Sequence, residues 1–290
     1  MARKTIRARR LGKQIRKLRE RSGFNQEQLC AAINTGQEDR ATVSQGQLSK
    51  IEAGAARLDT TQLERILAAV RAGEEITTRL ETLRARAEEP GWWSEYSPYI
   101  HETLELTVEL GEDARTIRTY DTSVIQGLLQ TEDYARTIIE SSRAWVRPTD
   151  VDMLVELRMR RQKRLAEHDF GGLTAVITEA SLRHQVGSRA VMRAQLEKLC
   201  QITEEGTAAV HVLPYEQGPW PGLGGFLIYS FPDEQDSEVV QVDGDLGAGI
   251  YEDREPISAL TYTFNAALAT ALPARESLTL YRTVMKELDT

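Results

Sequence analysis

Sulfur is scarce in this chain: two cysteines, Cys30 and Cys200, stand among 290 residues. Two make neither a disulfide framework nor a metal quartet, and both fall in helical patterns as small apolar residues, so a reduced, cytoplasmic protein is expected. No run of about 18 apolar residues occurs, which excludes a spanning helix and a membrane partner. The basic start MARKTIRARRLGKQIRKLRE lacks the apolar stretch of a secretory signal. Signatures of chemistry are missing as well. His101, His168, His184 and His211 are scattered without ligand spacing, and GxSxG, Walker and GxGxxG patterns do not occur. Glu179 follows a strand-like stretch but has no acidic partner that spacing can name. The expectation is a protein without metal or cofactor that is not an enzyme.

What is present is an asymmetry of charge. The net charge is −8, yet residues 1–21 carry ten Lys or Arg against Glu20 alone, a local +9. Residues 1–90 hold 18 basic and 12 acidic side chains, a net +6, which leaves 18 basic and 32 acidic to the other 200 residues, a net −14. A basic end on an acidic body points to a polyanion at one end only, although on charge alone a solvated tail accounts for it equally well.

Hydrophobic period supplies the organisation. Leu11, Ile15 and Leu18 mark a helix over 8–21 that stops at Ser22-Gly23. Asn25 and Gln28 have capping-box spacing ahead of Leu29 and Ile33. Ser44 and Gln47 repeat that spacing before a short third helix with Leu48 and Ile51 inside and Gly54 as its stop. Asp59 and Gln62 cap a fourth, with Leu63, Ile66, Leu67 and Val70 on its apolar face. Ile76, Leu80, Leu83 and Ala87 continue the period to Pro90. Beyond Pro90-Gly91, strands are expected at 116–121, 173–182, 208–215, 225–231 and 237–242, and helices at 131–141, 151–168, 189–205, 257–272 and 277–288. GPWPGLGG (218–225) is a loop. The fold class is α+β: an all-α helix-turn-helix domain over 1–75, a helical linker over 76–90, and a mixed α/β domain over 91–290.

A helix-turn-helix reading assigns chemistry to particular side chains. The third helix, SQGQLSKIE, is short enough to lie in a major groove about 12 Å wide. Its outer face offers Ser44, Gln45, Gln47 and Lys50. A Gln can pair bidentately with adenine, and a Lys can reach guanine O6 and N7. Gln26 and the amides opening helix two form a phosphate seat, and Lys13, Arg16 and Lys17 are candidates for backbone contacts. The bland alternative is that these polar residues are merely solvated.

The order LxxxRxxxGxNQxxL, then LSKIEAG, then a hydrophobic helix is carried here by Ile15, Arg19, Gly23, Asn25, Gln26 and Leu29, and by Leu48, Ser49, Ile51, Glu52 and Gly54. Over residues 11–67 it resembles the Xre-type, phage-repressor-like helix-turn-helix family. The resemblance implies that Arg19 and Glu52 form a structural pair. One departure stands out: turns between helices two and three run about 3–4 residues, whereas NTGQEDRATV (34–43) is longer and sets Glu38, Asp39 and Arg40 near the expected DNA face. Segments 90–135, 157–165, 173–188 and 210–233 resemble a domain fused to Xre-type regulators in actinobacteria, described as antitoxin-like and often encoded beside a small partner protein.

In that second domain Trp92, Trp93 and Trp220 are candidates for a ligand or partner pocket, with hydrophobic core the competing reading for the first two. Arg158, Arg160, Arg161, Lys163 and Arg164 form a basic run on one helix, expected as a solvated face. The function implied is a cytoplasmic, nucleoid-associated regulator that binds double-stranded DNA as a homodimer. A small protein encoded nearby or a small-molecule effector is its further candidate partner.

Overall fold

The structure is a computed structural model describing residues 5–36, 42–142, 146–217, 224–233, 236–244 and 248–289. It divides into two compact units, Met1–Ser94 and Glu95–Thr290.

The first unit consists of α1 (Ile6–Arg21), α2 (Gln26–Asn34), α3 (Gln45–Glu52), α4 (Thr60–Ala69) and α5 (Glu74–Glu88). The caps expected from sequence are in place. Asn25 with Gln28 and Asp59 with Gln62 close full capping boxes, while Ser44 accepts from the Gln47 amide. Leu11, Ile15, Leu29, Ile33, Leu48, Ile51, Leu63 and Ile66 share one core. Cys30 sits in it as a small apolar residue, and burial pushes its thiol pKa up, which keeps it inert. The stretch expected as a linker, 76–90, packs on this unit: Leu80 is buried in this same core, with Ile76 and Leu83 against it, and Arg7 donates to the Arg86 carbonyl. The helix is part of the unit because its apolar stripe is buried against this core.

Two glycines set how closely α3 approaches α1. A Cβ on Gly12 would lie 2.4 Å from the Ile51 carbonyl oxygen and 2.6 Å from that of Glu52. Gly54 ends α3 with φ of +64°, and a Cβ there would meet the Arg9 backbone at 2.6 Å. The ten-residue excursion between α2 and α3 is tied at its base. The Asn34 amide donates to the Val43 carbonyl at 3.0 Å, and its oxygen accepts from the Val43 N–H at 2.8 Å. With its ends held, the insertion leaves α3 in register with the core. Glu38, Asp39 and Arg40 lie outside the described residues.

The second unit is a six-stranded sheet in the order β3-β2-β1-β4-β5-β6, from β1 (Thr116–Asp121), β2 (Gly172–Thr178), β3 (Ala209–Leu213), β4 (Phe226–Ser230), β5 (Val239–Val242) and β6 (Gly249–Tyr251). The first three strands are parallel, and β4, β5 and β6 continue antiparallel from the other side of β1. One face carries Tyr120, Val176, Phe226, Ile228 and Val240 under α11 (Arg254–Thr270), through Phe264 and Ala267. Side chains of α6 (Glu102–Asp113) and α8 (Val151–Gln162) meet the other face, and α7 (Glu132–Ser141), α9 (Glu179–Arg183), α10 (Arg189–Glu205) and α12 (Ala274–Glu287) complete the unit.

Two expectations change here, and two elements are added. The strand expected over 173–182 ends at Thr178, where the helix formers EASLR turn into α9. The helix expected over 151–168 narrows after Gln162 to a 3-10 turn, because Arg164 folds inward onto Asp169 and the Ala114 carbonyl. Helix α6 and strand β6 have no counterpart in the sequence reading. In α6 the buried residues run consecutively from Thr107 to Leu110 and hide the helical period.

Gly12→Ala should lower the stability of the helical unit by about 1–3 kcal/mol, since the intruding methyl meets backbone rather than a movable side chain. The readout is the urea midpoint. An unchanged midpoint contradicts the close approach of α1 and α3.

Candidate nucleic-acid interface

The short helix α3 is held by a buried charge cluster at its C-terminal end. Arg19 donates from Nε to Glu52 Oε1 at 2.6 Å and from Nη2 to Oε2 at 3.1 Å, a two-point pairing. Both residues are 7% exposed. The remaining Nη1 donates to the Phe24 carbonyl at 2.9 Å, and Gln26 Nε2 donates to Glu52 Oε2 at 2.8 Å. Hydrogen bonding to Glu52 raises the Arg19 pKa above its ordinary value. One carboxylate thus joins the end of α3, the last turn of α1 and the first turn of α2.

Anchored there, α3 turns its polar residues outward. Ser44, Gln45, Ser49 and Lys50 are exposed, and Gln47 is half-buried. Ser44 accepts from the Gln47 amide through Oγ, which leaves its hydroxyl proton able to donate. Gly46 has open space where a Cβ would stand, so the first turn is accessible to another backbone. Of the residues expected on phosphate, Arg16 is exposed and paired with Glu20 at 2.9 Å, a surface pair of small worth. Lys13 and Lys17 are half-buried on the same helix. Gln26, expected as a phosphate seat, has its side-chain amide on Glu52, so its place is within the clamp.

The aromatic candidates are distributed differently. Trp93 is buried, with the Arg7 guanidinium 5.2 Å from its ring centroid and Gly91 beneath the ring, while Trp92 meets it edge-on at 5.8 Å. Trp93 therefore serves packing, the core reading weighed for it in the sequence. Trp220 lies outside the described residues. Glu179 accepts from Arg183 at 2.6 Å and from the Tyr215 amide at 3.1 Å, a structural joint between α9 and the residues after β3.

The sequence reading missed a polar stripe on the sheet face turned toward α6 and α8. Thr119 and Asp121 of β1, Tyr229 of β4 and Gln241 of β5 all lie on it. The Thr119 hydroxyl donates to Asp121 at 2.6 Å, and the Gln241 carbonyl oxygen accepts from Tyr229 at 3.1 Å and from Thr107 at 2.8 Å. Gln241 in turn donates to Asp243 at 2.8 Å. The available signal was a period-two run of polar residues, Thr119/Asp121 and Gln241/Asp243, in strands otherwise apolar on that face. The basic run of α8 is not a uniformly solvated face either. Arg160 pairs with Glu95 and Arg164 with Glu167 and Asp169, whereas Arg158 and Arg161 turn toward the stripe, where desolvation pulls both guanidinium pKa values down.

Arg19→Ala should cost about 3–5 kcal/mol, because it strands a buried carboxylate. A chemical denaturation curve for the helical unit reads it, and a loss below about 1 kcal/mol would place the pair among surface bridges. A second expectation follows from Asp121, whose pKa burial pushes up to about 8. Above roughly pH 4 the unfolded chain gives up this proton while the folded chain keeps it, so stability falls as pH rises and levels off above about pH 8. Asp121→Asn should flatten that slope in urea titrations run across the range. A slope the substitution leaves unchanged contradicts the assignment.

Comparison with known protein families divides the chain in the same way. Residues 10–80 match a family described as Helix-turn-helix domain, which suggests DNA binding, and residues 104–283, more than half of the chain, match one described as Domain of unknown function (DUF5753). No curated protein and no solved structure matches the chain. The helix-turn-helix match embraces the Arg19–Glu52 clamp and all of α3, the second match embraces the sheet from β1 to β6, and the chain belongs to the DUF5753 family, with a helix-turn-helix domain at its N-terminus.

Proposed function

We propose that this chain is a sequence-specific transcription regulator of the Xre type. It reads double-stranded DNA with α3 as a homodimer and receives a signal through its C-terminal unit. The observation that carries the reading is the exposed row Ser44, Gln45, Ser49 and Lys50 on a helix whose opposite side is fixed by Leu48, Ile51 and the Glu52 clamp. Eight residues at about 1.5 Å each give roughly 12 Å of helix, the width of a major groove. Gln45, at the first position of α3, and Lys50, in its last turn, are the base-reading residues of this account. Ser44 and the amides of the first turn face phosphate, as do Lys13, Arg16 and Lys17 on α1.

Dimerisation follows from energetics. One helix this short makes few base contacts, and doubling them multiplies specificity. Half-sites should then lie about one helical turn, roughly 34 Å, apart. We read the C-terminal unit as a binding module rather than an enzyme, in line with the structural duty of Glu179 in joining α9 to the residues after β3. The polar stripe favours a small-molecule effector for it. A small protein encoded nearby is the rival partner, and stoichiometric co-purification from native extract would select it.

The test is a mobility-shift series on duplexes selected from genomic DNA. Binding should weaken steeply and log-linearly with salt. Gln45→Ala should cost about 1–3 kcal/mol on the selected duplex and relax preference at one base pair. Equal loss on random DNA, or no binding to duplexes in dilute salt, would contradict the reading.

A further inference from the structure

At the end of the sheet where β1 stops, three strands meet with two carboxyl groups and, among the described residues, no side chain between them. Asp121 closes β1, Asp243 follows β5, and Gly225, the residue before β4, lies between them, with its carbonyl accepting from the Asp243 amide at 3.0 Å. A Cβ on Gly225 would be 3.3 Å from the Tyr120 carbonyl oxygen, 3.9 Å from Asp121 Oδ1 and 4.0 Å from Asp243 Oδ2, so both carboxyl groups border the narrow notch left by the missing side chain. Asp121 is 9% exposed. Its Oδ2 takes the Thr119 hydroxyl, while Oδ1 receives no donor among the described residues. Asp243 keeps solvent access yet is crowded enough that desolvation raises its pKa.

Helix α8 brings two cations to the same place. Arg161 acts electrostatically on Tyr229 and Asp243, and no group among the described residues accepts a hydrogen bond from its guanidinium. Arg158 acts on Asp243 as well and spends one nitrogen on Gln130 Oε1 at 2.8 Å. The contrast within this one basic run is informative. Arg160 and Arg164 close onto carboxylates as structural cations do. Among the described residues, Arg158 and Arg161 form no ion pair with Asp121 or Asp243. Two desolvated guanidinium groups held apart from the Asp243 carboxylate, beside an Asp121 carboxyl that keeps its proton below about pH 8, are costly to a fold unless something sits between them. The location is the end of the sheet where the parallel strands terminate, beside β1, from which the strand order departs to both sides. That is where open α/β sheets form a crevice.

We propose that this notch binds a small hydroxylated organic anion, with the Arg161 guanidinium, supported by Arg158, on its phosphate or carboxylate group and the Asp121 and Asp243 carboxyl groups on its hydroxyls. A guanidinium fork matches either oxyanion in two-point geometry, and an uncommitted carboxylate oxygen is an acceptor for a sugar or hydroxy-acid O–H. The regulatory meaning of such binding rests on the proposed DNA-reading function, but the binding itself does not.

The experiment is calorimetric titration of the full chain with ribose 5-phosphate as the phosphate source and gluconate as the carboxylate source, against ribose and inorganic phosphate as half-ligands. One hydroxylated anion should bind with Kd below about 1 mM and at least about tenfold more tightly than either half-ligand. Arg161→Ala and Asp121→Ala should each weaken it by about tenfold or more. Arg161→Lys keeps the charge and loses the fork, so it should fall between wild type and the alanine variant, and it serves if the alanine variant does not fold. Failure of both anions to bind at about 10 mM, or binding that the variants leave unchanged, overturns the proposal. Because no DNA is present, a chain that binds the anion but ignores duplexes would sink the regulator reading alone. A chain that binds duplexes but no anion would sink this inference alone.

Discussion

The Glu52 carboxylate is the point on which the helical unit turns. It receives two bonds from Arg19 and one from Gln26, so the end of α3 is fixed to α1 and α2 by charge-assisted geometry rather than by apolar contact alone. Apolar burial can hold a short helix to a core, but it is non-directional and fixes orientation poorly. Two backbone close approaches, at Gly12 and Gly54, add the missing precision. On the proposed reading, a helix that presents Gln45 and Lys50 to a groove must not roll, and the clamp opposes rolling.

The same logic explains how the long connection between α2 and α3 is tolerated. Longer surface loops cost little entropy once their ends are held. Here Asn34 makes a two-bond closure with Val43, whose side chain is buried in the core. The second unit follows a different rule. Its sheet is apolar under α11, and on the opposite face it is interrupted by a polar stripe satisfied in pieces by Thr107, Thr119, Tyr229 and Gln241. Buried polar groups of this kind are costly where they are incompletely paired, and among the described residues the incompletely paired members gather at one end of the sheet.

Much of the helical unit was legible because its signals are local. Asn25 to Gln28 and Asp59 to Gln62 are capping boxes within four residues, and the apolar stripes repeat at the helical period. The Arg19–Glu52 pair spans 33 positions and came only through resemblance, since nothing in spacing along a chain places two charges face to face. In the second unit, strands β1, β4 and β5 announced themselves by β-branched and aromatic residues. Helix α6 did not, because its buried residues are consecutive, and strand β6 is only three residues long. The inward turn of Arg158 and Arg161 was invisible for a physical reason. Arg158, Arg160 and Arg161 share one helix and Arg164 the 3-10 turn that follows it, and only the packed neighbours decide which guanidinium meets water and which meets the sheet.

The central claim is that α3 enters the major groove of duplex DNA. Methylation protection on a selected duplex bound by the full chain tests it most directly, because guanine N7 lies in that groove. Protected guanines should fall in two patches roughly 34 Å apart on one face of the helix. Uniform protection along the duplex, or binding that leaves every guanine N7 open, would contradict the account.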